Sequence, residues 1–171
     1  LPTVNLVYEN LVNWYKNNGA SVGYNPTLMP PVPGYPVYRA RFTSSGSTPY
    51  INTHTTLEPG EYEFTFYLYA EQSNIKLGFN LRGGGVSETQ IYPEAGKWVK
   101  HTVKGAVYSA TTSADSIFYA YAYSPDIAYF NICHPVIRRI SSQEKKLFRT
   151  VEINSKPADL AVTIRGQEVT D

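Results

Sequence analysis

Polar and apolar residues alternate strictly through the middle of the chain. From residue 61 to 70, Tyr62, Phe64, Phe66 and Leu68 fall on one side, and Glu61, Glu63, Thr65, Tyr67 and Tyr69 on the other. A period of two is the signature of a half-buried strand. The same rhythm returns at once, with Ile75, Leu77, Phe79 and Leu81 set against Lys76, Gly78, Asn80 and Arg82. Gly83-Gly84-Gly85 then supplies a turn, because glycine accepts positive φ without penalty. Further strands are predicted at 37–42, 50–56, 88–92, 98–103, 116–123 and 128–132. Pro59-Gly60, Ala95-Gly96 and Ser124-Pro125-Asp126 punctuate them. About eight short strands at this spacing predict an all-β chain folded as a β-sandwich jelly roll.

The two ends depart from that rhythm. Residues 1–36 hold a short apolar piece at 4–8, a polar turn at Asn17-Asn18-Gly19, and the prolines Pro26, Pro30, Pro31, Pro33 and Pro36. Proline fixes φ and removes a donor, so the segment is expected to be irregular and laid over a sheet. Beyond Ile140, Ser141-Ser142-Gln143-Glu144 resembles a helix start with a capping box, and short strands are expected at 151–153 and 160–164. A two-stranded unit does not stand alone. Residues 1–140 therefore read as one domain, and 141–171 as an extension or the start of a following small β domain. Leu1 opens the chain and its one methionine, Met29, is internal, so a processed product or a piece of a longer chain is expected.

Composition narrows the function classes. Charged residues make up 17% of the 171 and the net charge is +1, against about 25% charged in an average domain. That excludes a disordered or coiled-coil chain. No basic run exceeds Lys145-Lys146 or Arg138-Arg139, so nucleic acid is not an expected partner. No stretch approaches the roughly 20 apolar residues of a spanning helix, so membrane insertion is not expected. Cys133 is the single cysteine and forms no internal disulfide.

Catalytic signatures are wanting. No Gly-x-Ser-x-Gly elbow occurs. Cys133 and His134 are neighbours at an expected strand end, so their side chains diverge, and Cys133 is expected to be a small half-buried residue. No His-Glu-x-x-His or similar zinc spacing is present. Calcium asks only for loop carbonyls and one or two carboxylates, and Glu9, Glu58, Asp115 and Asp126 occupy turn positions. Solvated turn carboxylates are the favoured reading, so no cofactor is expected and a structural calcium is not favoured. Glu61 and Glu63 share a strand face, as carboxylates on any exposed sheet do. The chain is expected not to be an enzyme.

The aromatic usage stands out instead. Fifteen tyrosines accompany seven phenylalanines and two tryptophans. Tyr67, Tyr69, Lys76, Asn80 and Arg82 fall on the noncore side of two consecutive strands. Tyr119, Tyr121 and Tyr123 alternate with Phe118, Ala120 and Ala122, and either set can face out. A sugar ring offers an apolar C–H face edged by hydroxyls, which suits phenol rings beside amide and guanidinium groups. These eight residues are the candidate carbohydrate contacts. His101 and Tyr92 are weaker candidates, and Trp98 is expected to anchor the core.

Several stretches resemble the carbohydrate-binding-module-like jelly rolls of the galactose-binding-like superfamily. They are Asn5-Leu6 followed by Trp14; Leu57-Glu58-Pro59-Gly60-Glu61-Tyr62-Glu63-Phe64-Thr65-Phe66-Tyr67; Gly96-Lys97-Trp98; and Tyr129-Phe130-Asn131-Ile132-Cys133-His134-Pro135-Val136-Ile137. The last is similar to a closing strand frequent in bacteriophage tail and fibre proteins. The resemblance covers roughly residues 4–140. It implies a noncatalytic glycan-binding module of a larger virion or tail protein, at the virion surface or otherwise extracellular, with bacterial surface carbohydrate and other virion subunits as partners. Relatives with a structural calcium usually carry an acidic residue where this chain has Asn131. Two alternatives stand beside it: a structural or assembly domain of a virion using the tyrosine face for protein contact, and a module appended to a secreted polysaccharide-degrading enzyme.

Overall fold

The structure is a computed structural model. It describes residues 10–43, 48–54, 56–81, 89–110, 116–122 and 127–140, with the backbone alone described for residues 54, 80–81 and 116–122. The chain divides into two units, Leu1–Arg139 and Ile140–Asp171. The reading of 141–171 and the apolar piece at 4–8 lie outside the described residues.

A 3-10 turn, Leu11–Asn13, precedes ten strands: β1 Tyr15–Asn17, β2 Ala20–Tyr24, β3 Val37–Phe42, β4 Tyr50–His54, β5 Gly60–Ala70, β6 Leu77–Leu81, β7 Thr89–Ile91, β8 Trp98–Val107, β9 Ser116–Ala122 and β10 Ala128–Arg139. They form two five-stranded sheets, ordered β1-β4-β9-β6-β7 and β2-β3-β10-β5-β8. Pairing within each sheet is antiparallel. The chain crosses repeatedly between the sheets, and the fold is an all-β sandwich of jelly-roll type.

The alternation along β5 places Tyr62, Phe64, Phe66 and Leu68 in the core. They meet Leu77 and Phe79 of β6 and Ile51 of β4 from the opposite sheet. Phe66 and Phe79 stack with centroids 4.6 Å apart, joining the two layers. Burying two such rings removes water from several hundred Å² of apolar surface, worth a few kcal/mol each. Tyr62 is buried but its hydroxyl still finds the Glu58 carbonyl, at 2.7 Å. Burial pushes its phenol pKa up. That bond ties the turn before β5 to the strand and satisfies a polar tip that would otherwise be stranded.

The described part of the N-terminal segment, residues 10–36, is less irregular than its prolines suggest, since β1 and β2 both form there. The tight turn between them uses Asn18 at φ 53° and Gly19 at φ 84°, both left-handed, and carries the chain from one sheet to the other. Residues 25–36 do run over a sheet. Asn25 Nδ2 donates to Asn131 Oδ1 at 2.8 Å, Trp98 Nε1 to the Met29 carbonyl at 3.0 Å, and Tyr35 stacks on His134 at 3.8 Å.

The closing strand is longer than the pattern indicates. β10 continues through Pro135 because a bulge between Cys133 and Val136 absorbs the missing donor. His134 takes φ 50° there, a left-handed conformation uncommon outside glycine. Cys133 is thus mid-strand and fully buried, with Sγ 3.9 Å from the Tyr35 carbonyl, rather than half-buried at a strand end. Burial raises its thiol pKa and keeps it un-ionised.

Candidate functional site

The outer face of each sheet is defined by what alternates with the core. In the β1-β4-β9-β6-β7 sheet, Ile51, Leu77, Phe79 and Ile91 are core residues. The positions between them make two cross-strand rows. One runs Tyr15, Asn52, Tyr119, Asn80, and the other Asn17, Tyr50, Tyr121, Gly78, Gln90. Ala120 pairs with Ile51 and Phe79, and Ala122 with Leu77. The register therefore puts the two alanines in line with the core residues, and Tyr119 and Tyr121 at the alternate positions.

The described side chains of these rows are phenols and amides. Tyr15 is 53% exposed, and its ring lies 6.4 Å from that of Tyr50. Asn17 Nδ2 donates to the Tyr50 hydroxyl at 2.7 Å, which fixes that ring. Asn52 is buried, and Gly78 of β6 carries no side chain. At the far margin Tyr92 is 70% exposed. Its hydroxyl lies 3.4 Å from Gln90 Oε1, and Lys76 Nζ lies 5.8 Å from its ring centroid. Four strand spacings of about 4.8 Å separate the β1 and β7 margins, roughly 19 Å.

The candidate residues read from sequence divide between the sheets. β5 and β6 are consecutive in the chain but belong to opposite sheets. Tyr67 and Tyr69 therefore do not share a face with Lys76 and Asn80, which corrects the expectation of one joint platform. The crossover is the reason: period two tells which side of its own strand a residue takes, and nothing about which sheet the strand joins. Arg82 and Tyr123 lie outside the described residues.

Tyr67 and Tyr69 lie on the outer face of the other sheet, half-buried. Lys100 Nζ is 5.8 Å from the Tyr67 centroid, and the Tyr69 ring packs 5.4 Å from Trp98. Trp98 is correspondingly not a core anchor; it sits on this outer face, holding the 25–36 segment through the Met29 carbonyl. Trp14, 2% exposed, is the tryptophan of the core. His101 stacks on Phe66 at 5.7 Å, and burial lowers its pKa, leaving a neutral ring at the core margin. Glu63 is engaged by Arg138 at 3.2 Å and Lys104 at 3.8 Å.

Sequence reasoning missed Tyr15, Asn17, Tyr50, Asn52 and Gln90. Tyr50, Asn52 and Gln90 alternate with apolar residues in strands that were predicted, so the signal was present. Tyr15 and Asn17 were hidden by the three-residue length of β1. Among the described residues no group of three or more His, Cys, Asp or Glu could hold a metal ion. Glu9, Asp115 and Asp126 lie outside the described residues.

No family profile and no curated protein matches the sequence. Among solved structures the chain is similar to an apo carbohydrate-binding module, BiXyn10A CBM1, at 12% identity and TM-score 0.53, covering 81% of this chain and 97% of that one. It is also similar to the CBM22-1 and GH10 modules of Clostridium thermocellum xylanase 10B, complexed with xylohexaose, at 16% identity and TM-score 0.52, covering 81% of this chain. A third is the enzymatically active domain of tailspike protein 4 from bacteriophage CBA120, at 10% identity and TM-score 0.52, covering 80% of this chain. The match spans 28% of the xylanase chain and 21% of the tailspike chain. These likenesses establish the fold.

Proposed function

We propose that the chain is a noncatalytic glycan-binding module of a larger protein, and that its platform is the outer face of the β1-β4-β9-β6-β7 sheet. One observation carries the reading: phenol rings at both margins of that face, Tyr15 and Tyr92, with Tyr50 fixed by Asn17 between them. Rings of this kind pack on the C–H faces of sugars, and the Asn17 and Gln90 amides and Lys76 pair with hydroxyls at the ring edges. Asn80, Tyr119 and Tyr121, at the intervening register positions, complete the proposed contacts. Individual sites are weak, and presentation in several copies supplies avidity.

The setting we propose is the surface of a bacteriophage particle, where the module adheres to bacterial surface carbohydrate beside other virion subunits. The fold likeness to a tailspike protein supports it. The near-complete coverage of BiXyn10A CBM1 favours a second setting, a module appended to a polysaccharide-degrading enzyme.

A glycan array probed with the multivalent protein tests the function. Signal on bacterial surface glycans or plant polysaccharides is the expected result. A clean negative, together with concentration-dependent oligomers in sedimentation, would transfer the face to protein assembly, for which tyrosine is equally suited.

A further inference from the structure

The other sheet carries a cationic feature at its β2 edge that the proposed platform does not use. Ser21 and Gly23 of β2 stand opposite Arg41 and Arg39 of β3, and Arg41 stands opposite Tyr129 of β10. These residues alternate with the core positions Ala40, Phe42 and Phe130, and so occupy the outer face. Arg39 and Arg41 are two residues apart on one strand, about 7 Å along it.

Both guanidiniums are held in place. Arg39 donates Nε and Nη2 to the two Glu71 oxygens, at 2.7 and 2.6 Å, and its guanidinium lies 4.3 Å from the Tyr129 centroid. Arg41 donates Nε to the Tyr129 hydroxyl at 3.1 Å. The Nη donors of Arg41 have no partner among the described residues. Glu71 neutralises one of the two charges, leaving one in excess. Beside them Gly23 leaves open space: a Cβ built there would meet nothing within 4 Å. The result is an exposed cationic patch near the sheet edge: the two guanidiniums gathered on Tyr129, with the exposed Ser21 and the open Gly23 on the neighbouring strand.

We infer that this patch binds the carboxylate of a uronate residue in an acidic polysaccharide. The planar donor pair of Arg41 matches a carboxylate two-pronged, as an ammonium cannot. The sugar ring lies over Gly23, where no side chain intervenes, and its hydroxyls meet Ser21 and Tyr129. Because the patch is near a sheet edge, the polysaccharide runs past on either side. Arg39, pinned by Glu71, contributes a fixed positive potential.

An NMR titration of the whole 171-residue chain with trigalacturonate, beside neutral galactotriose and a poly-glutamate peptide, tests this. Trigalacturonate is expected to shift the Ser21, Gly23 and Arg41 amides, with affinity falling as salt is raised. Arg41→Ala and the length-preserving Arg41→Gln each weaken it about tenfold, the loss of a charged hydrogen bond. Galactotriose leaves those amides unmoved. Three results would overturn the assignment: no shift at these amides, unchanged affinity in both variants, or equal shifts from poly-glutamate. The readout lies on the β2-β3-β10-β5-β8 sheet, so it fails or succeeds separately from the platform on the other sheet.

Discussion

Asn131 is fully buried in a chain of polar contacts, accepting from Asn25 Nδ2 at 2.8 Å and donating Nδ2 to Glu71 Oε1 at 3.1 Å. Glu71 in turn holds Arg39 through both oxygens. Asn131→Asp keeps the shape and the bond from Asn25 but replaces the second donor with an oxygen, setting two carboxyls about 3 Å apart. If both ionise, the repulsion at an effective dielectric of 20 is about 5 kcal/mol. Glu71 is open to solvent on one side, which reduces that figure. The alternative is to protonate the introduced carboxyl, costing about 4 kcal/mol at pH 7 from an ordinary aspartate pKa near 3.9. The cheaper route wins, and Arg39 softens the ionised route alone, so the expected loss at pH 7 is about 2–4 kcal/mol. The introduced carboxyl then has a folded-state pKa above its unfolded one. Relative stability should therefore recover as pH falls, because the protonated form can donate to Glu71 as the amide did. Urea unfolding of both proteins at pH 7 and pH 5 measures this, and the gap should shrink by about 0.7–2.5 kcal/mol at the lower pH, the larger narrowing going with the larger loss. A loss under about 1 kcal/mol at pH 7, or a gap that does not narrow on acidification, would refute the role assigned to this contact.

The unsubstituted protein carries its own acid dependence. The hydrogen bonds from Arg39 hold the Glu71 carboxyl below the ordinary range against the opposing effect of burial, and the bond from Asn131 adds to it. A depressed folded pKa contributes stability above the unfolded value and loses it as pH falls through the folded one, so urea midpoints should decline below about pH 4, less in Glu71→Gln. Phe66→Ala removes the ring that stacks on Phe79 across the two layers, and should cost about 3–5 kcal/mol in the same assay. Cys133, buried and with its thiol pKa raised, should resist a thiol reagent in the native state and react promptly in urea; fast native labelling would contradict its placement.

The fold was readable because burial imposes its period on the sequence. β5 is apolar at every second residue for the whole length of its core face, and β3 runs over the predicted 37–42. β1 and β2 were missed because edge strands one face deep carry little apolar signal, and β2 has Gly23 and two exposed neighbours. The length of β10 was missed because a proline reads as a stop unless the bulge at Cys133–Val136 is known. The site was half legible. Alternation marks Lys76 and Asn80 as noncore, but sheet membership, which separates them from Tyr67 and Tyr69, is set by pairing between residues far apart in sequence.

The measurement closest to the central claim compares Tyr50→Ala with Tyr67→Ala on the multivalent glycan array, each checked for native folding. The two tyrosines lie on opposite outer faces. Loss of roughly tenfold or more of the signal in Tyr50→Ala, with Tyr67→Ala near the parent, is the result expected of a platform on the β1-β4-β9-β6-β7 sheet. The reverse pattern would move the platform to the other sheet and contradict the account.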